Sequence, residues 1–110
     1  MKLENLHEDL SKLNIPVAYT YFEDHVSPPF AVFFEESEKH FVADNNIYAT
    51  KKAIVVELYT TKKDLVLEKK LESFFYKHEI IWESTSQYIN EENLFLKAYY
   101  FELLEDKKNE

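Results

Sequence analysis

The chain contains neither glycine nor cysteine. Without cysteine there is no disulfide frame, no thiol nucleophile and no thiolate metal site. Without glycine, the phosphate-cradling loops of dinucleotide-binding and P-loop proteins cannot be built in standard form, because they need close backbone approach and positive φ. Turns must rely instead on Asn, Asp and Pro, which cluster at Asn14–Pro16, Ser27–Pro29, Asp44–Asn46 and Asn90–Asn93. Positive charge is also scarce: 13 Lys+Arg against 21 Asp+Glu leave a net charge of −8. Such a chain lacks the basic footprint of a specific nucleic-acid binder and is a poor match for an anionic membrane surface. No apolar run reaches membrane-spanning length, and the opening MKLENLHEDL does not read as a signal peptide. The default location is therefore a cytoplasm.

What is present is apolar and aromatic. At 110 residues and 45% hydrophobic, the chain can bury the core of one domain. The aromatic content of 16% is almost entirely Tyr and Phe, which suits strands and interfaces better than a helical bundle. A single α+β domain is expected over residues 1–104, followed by a polar tail at 105–110 with no core contribution.

Residues 53–78 are the organising stretch. In Ala53–Thr60, Ile54, Val56 and Leu58 fall on one face and Val55, Glu57 and Tyr59 on the other, the period of a strand. Thr61–Asp64 breaks the alternation, and the Asp64 carboxylate is positioned to cap a helix. Leu67, Leu71, Phe74, Phe75 and His78 then form one helical stripe, opposite a charged face of Glu68, Lys69, Lys70, Glu72 and Lys77.

The remaining segments pack on this unit. Leu3, Leu6, Leu10 and Leu13 predict a helix over about residues 2–13, ended by Asn14 and Pro16. Residues 15–23 read as extended, with Pro16 suiting an edge. After a proline-stiffened loop, Phe30–Ser37 reads as a strand whose acidic tail, Glu35, Glu36 and Glu38, leaves the sheet. Residues 37–52 read as a projecting hairpin or long loop, a length of connection that is often functional. Residues 79–86 predict a strand, 87–93 a turn or one helical turn, and 94–104 a long final strand. On that strand the face of Phe95, Lys97, Tyr99, Phe101 and Leu103 is too aromatic to be solvated, so a helix, another sheet or another subunit must cover it. The order is α-β-β-(β)-β-α-β-β. It implies a mostly antiparallel sheet of four to six strands with two helices on one face.

Catalytic signals are weak. His7, His25, His40 and His78 lack metal-ligand spacing, and no metal or cofactor is expected. Glu35, Glu36 and Glu38 form the densest carboxylate cluster, but such a run on a strand end reads first as a solvated patch. A hydrolase built on His40 and that cluster is the weakest of the readings, and Ser84 and Ser86 have no glycine elbow. The sequence points away from an enzyme. The positive signal is the surplus of aromatic strand residues: it reads either as a core with an ordinary amphipathic surface or, because two helices can cover only one sheet face, as a face or edge buried between subunits. Tyr59, Tyr99, Phe101, Tyr48 and Ile47 are the candidate subunit-interface residues.

Four segments, Ile15–Tyr19, Pro28–Phe34, Phe41–Tyr48 and, above all, Val56–Asp64, stand out together. In these the chain resembles a family of minor tail, tail-completion and tail-to-head joining proteins from tailed phages and prophages of Gram-positive bacteria. The resemblance spans about residues 10–104 and carries no catalytic motif. It implies a small α+β subunit that assembles with itself as a ring, typically a hexamer. Such a ring completes the tail tube and meets the head–tail connector proteins, in the virion or, during assembly, in the host cytoplasm. An acidic subunit suits a channel through which DNA passes without sticking. The competing reading is a small acidic protein-binding module or inhibitor encoded by a phage or its host. It requires carboxylates gathered in one sheet of charge, and the Lys51-Lys52, Lys62-Lys63 and Lys69-Lys70 pairs lean against it.

Overall fold

The computed structural model describes residues 3–106. The elements run α1 (Leu3–Ser11), β1 (Val17–Tyr19), β2 (Phe30–Ala43), β3 (Asn46–Thr60), α2 (Leu65–Lys77), β4 (Trp82–Ile89) and β5 (Leu94–Asp106). The five strands form one sheet in the order β1-β2-β3-β5-β4. Only the β1–β2 pairing is parallel; the other three are antiparallel. Both helices contribute to one core on one sheet face, so the fold is the α+β arrangement expected.

The central unit is as its periodicity implies. Ile54, Val56 and Leu58 are all buried, against Leu67, Leu71 and Phe75 of α2 and Leu6 and Leu10 of α1. Asp64 caps α2, its Oδ1 accepting from the Leu67 amide at 3.0 Å. At the other end the Ile80 amide donates to the Phe75 carbonyl (2.8 Å) and the Glu79 amide to Tyr76 (3.1 Å). This is the Schellman closure, with Glu79 at φ 58° in the left-handed position that glycine usually takes. Positive φ also falls on Asn14, Asp44, Asn45 and Asn93, so Asn and Asp do replace glycine at the expected turns. Thr20 and Glu79 take positive φ outside those turns.

Three boundaries within the chain differ from the expectation. The first extended segment is a three-residue edge strand, because Thr20, at φ 71°, turns the chain. The Tyr21 amide folds back onto the Tyr19 carbonyl at 2.8 Å. The acidic tail of β2 does not leave the sheet. Its residues pair with β3 to the end of a long hairpin, so the hairpin form of 37–52 is the correct one. Asp44 and Asn45 both take positive φ at its tip, as a type I′ turn demands. A register shift between Glu35 and Ser37 absorbs one residue. Glu35 and Glu38 thereby face the helix side together, Glu35 beside Ile54 and Glu38 beside Lys52. Residues 87–89, expected in a turn, belong to β4.

Glu105, assigned to a polar tail, lies within β5 and is 8% exposed. It takes an ion pair from Lys52 (3.2 Å) and a hydrogen bond from the Leu3 amide (3.3 Å), joining the last strand to the start of α1. Residues 107–110 of the expected tail lie outside the described residues. The charged face of α2 is also less open than its pattern implied. Glu68, 5% exposed, lies between Lys63 (2.9 Å) and Lys97 (3.2 Å). Glu72 accepts from Lys97 (3.0 Å) and the Tyr99 hydroxyl (2.7 Å). β5 carries Lys97 on its helix-facing side, and that cation draws both carboxylates onto the sheet.

Candidate functional site

The sheet face away from the helices is built in rows. Phe30, Tyr59 and Leu96 lie side by side across β2, β3 and β5; so do Val32, Glu57 and Ala98, and then Phe34, Val55 and Tyr100. Among the described residues no helix lies over these rows. Their middle is nonetheless sheltered by its own neighbours: Val55 is only 3% exposed, and Val32, Leu96 and Ala98 are buried. Phe30 stacks on Tyr59 with ring centroids 4.9 Å apart, and Phe22 from the 20–29 loop meets Phe30 edge-on at 5.6 Å. The Tyr59 hydroxyl donates to Glu57 at 3.0 Å. Burial and the neighbouring Glu57 carboxylate push the Tyr59 phenol up to about 12. This face is thus a bed of half-buried aromatics, with Tyr100 at its open margin.

The second exposed apolar surface is the hairpin tip. Val42, Ile47 and Tyr48 are all exposed there, and Phe41 lies 6.2 Å from Tyr48, ring to ring. The molecule measures 52 × 27 × 23 Å. A 14-residue strand at roughly 3.4 Å per residue is nearly as long as the first dimension. The β2–β3 hairpin therefore sets the length of the molecule and carries its tip away from the helices.

The five candidate interface residues separate on this structure. Tyr48 and Ile47 are exposed at the tip. Tyr59 lies on the helix-free face but is half-buried and committed to Phe30 and Glu57. Tyr99 and Phe101 are corrected: they are 0% and 4% exposed, lie in the core with their rings against Phe75, and offer nothing to a neighbour. Of the three covers open for that face of β5, the chain uses its own helix α2. Val42, not among the five, is exposed at the same tip; its signal is an apolar residue inside the 37–52 segment, directly across from Ile47.

The residues weighed for catalysis fall into two groups. Glu38, His40 and Thr50 do form a chain: Glu38 Oε1 lies 3.5 Å from His40 Nε2, and His40 Nδ1 lies 3.0 Å from the Thr50 hydroxyl. The Thr50 end is 5% exposed within a strand, whereas His40 and Glu38 open onto a shallow cleft beside Asn45, Asn46 and Ile47. The arrangement is a cross-strand tie in the hairpin. Glu35 sits beside it; burial, then the hydrogen bond and charge of Glu38, raise its carboxyl above the ordinary range. His7 uses Nε2 on the Val17 carbonyl (3.0 Å) and stacks on Phe33, and His25 lies exposed on the 20–29 loop. No group of His, Asp and Glu among the described residues could hold a metal ion.

No protein-family model matches this chain, and no curated protein matches it. No helix among the described residues is long and apolar enough to cross a membrane.

Proposed function

We propose that this protein is a structural virion component of a tailed phage or prophage. Copies of it assemble in a ring that completes the tail tube and joins it to the head connector. The observation that carries this reading is the projecting β2–β3 hairpin with its exposed apolar tip of Val42, Ile47 and Tyr48. A rigid arm of this kind suits contact with an adjacent subunit or the tube, and aromatic residues are enriched in such contacts. The resemblance of Phe41–Tyr48 and Val56–Asp64 to tail-completion proteins supports the same role. The acidic inhibitor is disfavoured by the lysines interleaved with the carboxylates, as in the Lys51–Glu102, Lys52–Glu105 and Lys97–Glu68 pairs.

The test is sedimentation of the purified chain alone and with the tail-tube protein of the phage or prophage that encodes it. The expected result is a ring-sized assembly, at least with the tube protein. Ile47→Asp with Tyr48→Asp abolishes it and leaves the melting temperature unchanged. An assembly that survives both substitutions, or a chain that stays monomeric in both mixtures, overturns the reading.

A further inference from the structure

The two borders of the sheet are built in opposite ways. On the β2 side, β1 covers residues 31–33, and the outer edge beyond it carries Glu35, Glu36, Glu38 and Lys39 with a register shift. Charge and irregularity are the usual protection of an open edge. On the other side β4 runs from Trp82 to Ile89 in unbroken register with β5, and no described strand pairs its outer edge. It holds no lysine or proline and one charge, Glu83. Just before it stands Ile81, 90% exposed, the barest large apolar residue among those described.

We infer that the β4 edge pairs with the β4 edge of a second copy, antiparallel and in a register centred on Thr85. Side chains alternate between faces along a strand. A two-fold axis normal to the sheet keeps the helix sides together only if a residue, not a peptide bond, lies on the axis. With Thr85 on the axis, Ile81 lies opposite Ile89 and Trp82 opposite Tyr88 of the second copy. Glu83 faces Gln87, Ser84 faces Ser86, and Thr85 faces itself. Each is a favourable cross-strand pair or a neutral one, and no like charges meet. Ile81 gains the apolar partner it lacks in one chain. Centring on Ser86 instead would set Glu83 against Ile89.

The contact is short. Nine paired residues, 81–89, at about 3.4 Å each span roughly 31 Å, and a seam one strand edge wide over that length is short of the ~1,200 Å² expected of a stable interface. The pairing is therefore weak, and its population rises with concentration. Two copies close it, so it neither requires nor forms a ring.

The absence of cysteine makes a clean test. Thr85→Cys places the two new Cβ atoms about 4.5–5.5 Å apart, so a short bis-maleimide should link most chains as dimers at high protein concentration. A mixture of Glu83→Cys and Gln87→Cys chains should cross-link to each other more than to themselves. Lys39→Cys, on the protected edge, should stay monomeric. In sedimentation Thr85→Lys should weaken self-association at least tenfold with an unchanged circular-dichroism melt. Equal cross-linking at positions 39 and 85, no dimer with Thr85→Cys, or an unaffected Thr85→Lys would overturn the inference. Made in the Ile47→Asp, Tyr48→Asp background, which removes the proposed ring contact, these measurements are independent of ring assembly.

Discussion

Lys52 Nζ lies 3.2 Å from Glu105 Oε2, and both side chains are largely withdrawn from water. This pair ties the hairpin strand to the far end of β5, beside the start of α1. Lys52→Met leaves the Glu105 carboxylate with only the Leu3 amide and should cost about 1–2 kcal/mol, between the scales for exposed and buried pairs, because Lys52 keeps some access to water. Replacing both, as Lys52→Met with Glu105→Leu, should recover much of that loss. Urea unfolding of the three chains measures it; a double variant no better than the single one would refute the account.

Glu35 behaves in the opposite sense. Burial first, then the hydrogen bond and charge of Glu38, raise its folded pKa above the ordinary 4.5. A carboxyl raised in the folded state opposes folding at neutral pH, and the opposition fades as pH falls through the folded value. Glu35→Gln should therefore stabilise the protein at pH 7, and the gain should vanish below about pH 4. Melting temperatures compared at the two pH values check the sign.

The Tyr99 hydroxyl donates to Glu72 at 2.7 Å from inside the core. Burial alone would raise Glu72, but the hydrogen bonds of Tyr99 and Lys97 outweigh it and the net direction is down. A lowered carboxyl contributes stability above its unfolded pKa and loses it as pH falls through the folded value. Tyr99→Phe should cost about 1–2 kcal/mol at pH 7. The deficit should shrink as pH drops below 4.5, Glu72's ordinary value. Denaturant titrations across that range read the change; a deficit independent of pH would assign the loss to packing.

Thr20 is a β-branched residue at φ 71°. Such a residue is strained there, and glycine is not. Thr20→Gly should raise stability by about 1 kcal/mol, after allowing for the entropy glycine adds to the unfolded chain. Calorimetry of the two chains decides it. A loss would show that the threonine side chain contributes more than its strain costs.

Much of the fold was legible because period and caps are local. Ile54, Val56, Leu58, Leu67, Leu71 and Phe75 were identified as core from spacing alone, as was Asp64 as a cap. The length of β2 was not legible. Glu35, Glu36 and Glu38 look like the end of a strand, yet the opposing strand supplies Lys51 and Lys52, and the backbone ladder continues past them. Glu68 and Glu72 likewise read as solvent-facing because the cation that gathers them, Lys97, lies on a strand far along the chain. Tyr99 and Phe101 pass for interface residues in the sequence because a strand pattern does not say which face the helix takes.

By itself, the sequence determined the order of elements, the antiparallel preference, the core face of the central unit and the use of Asn and Asp where glycine is absent. Each depends on residues a few positions apart. The tertiary structure alone decided which β5 face α2 covers, that β2 and β3 form one projecting hairpin, and that β4 is left as the unprotected edge. Those outcomes depend on pairings between distant segments, where strand neighbours and lone counter-charges are set by topology rather than by local spacing.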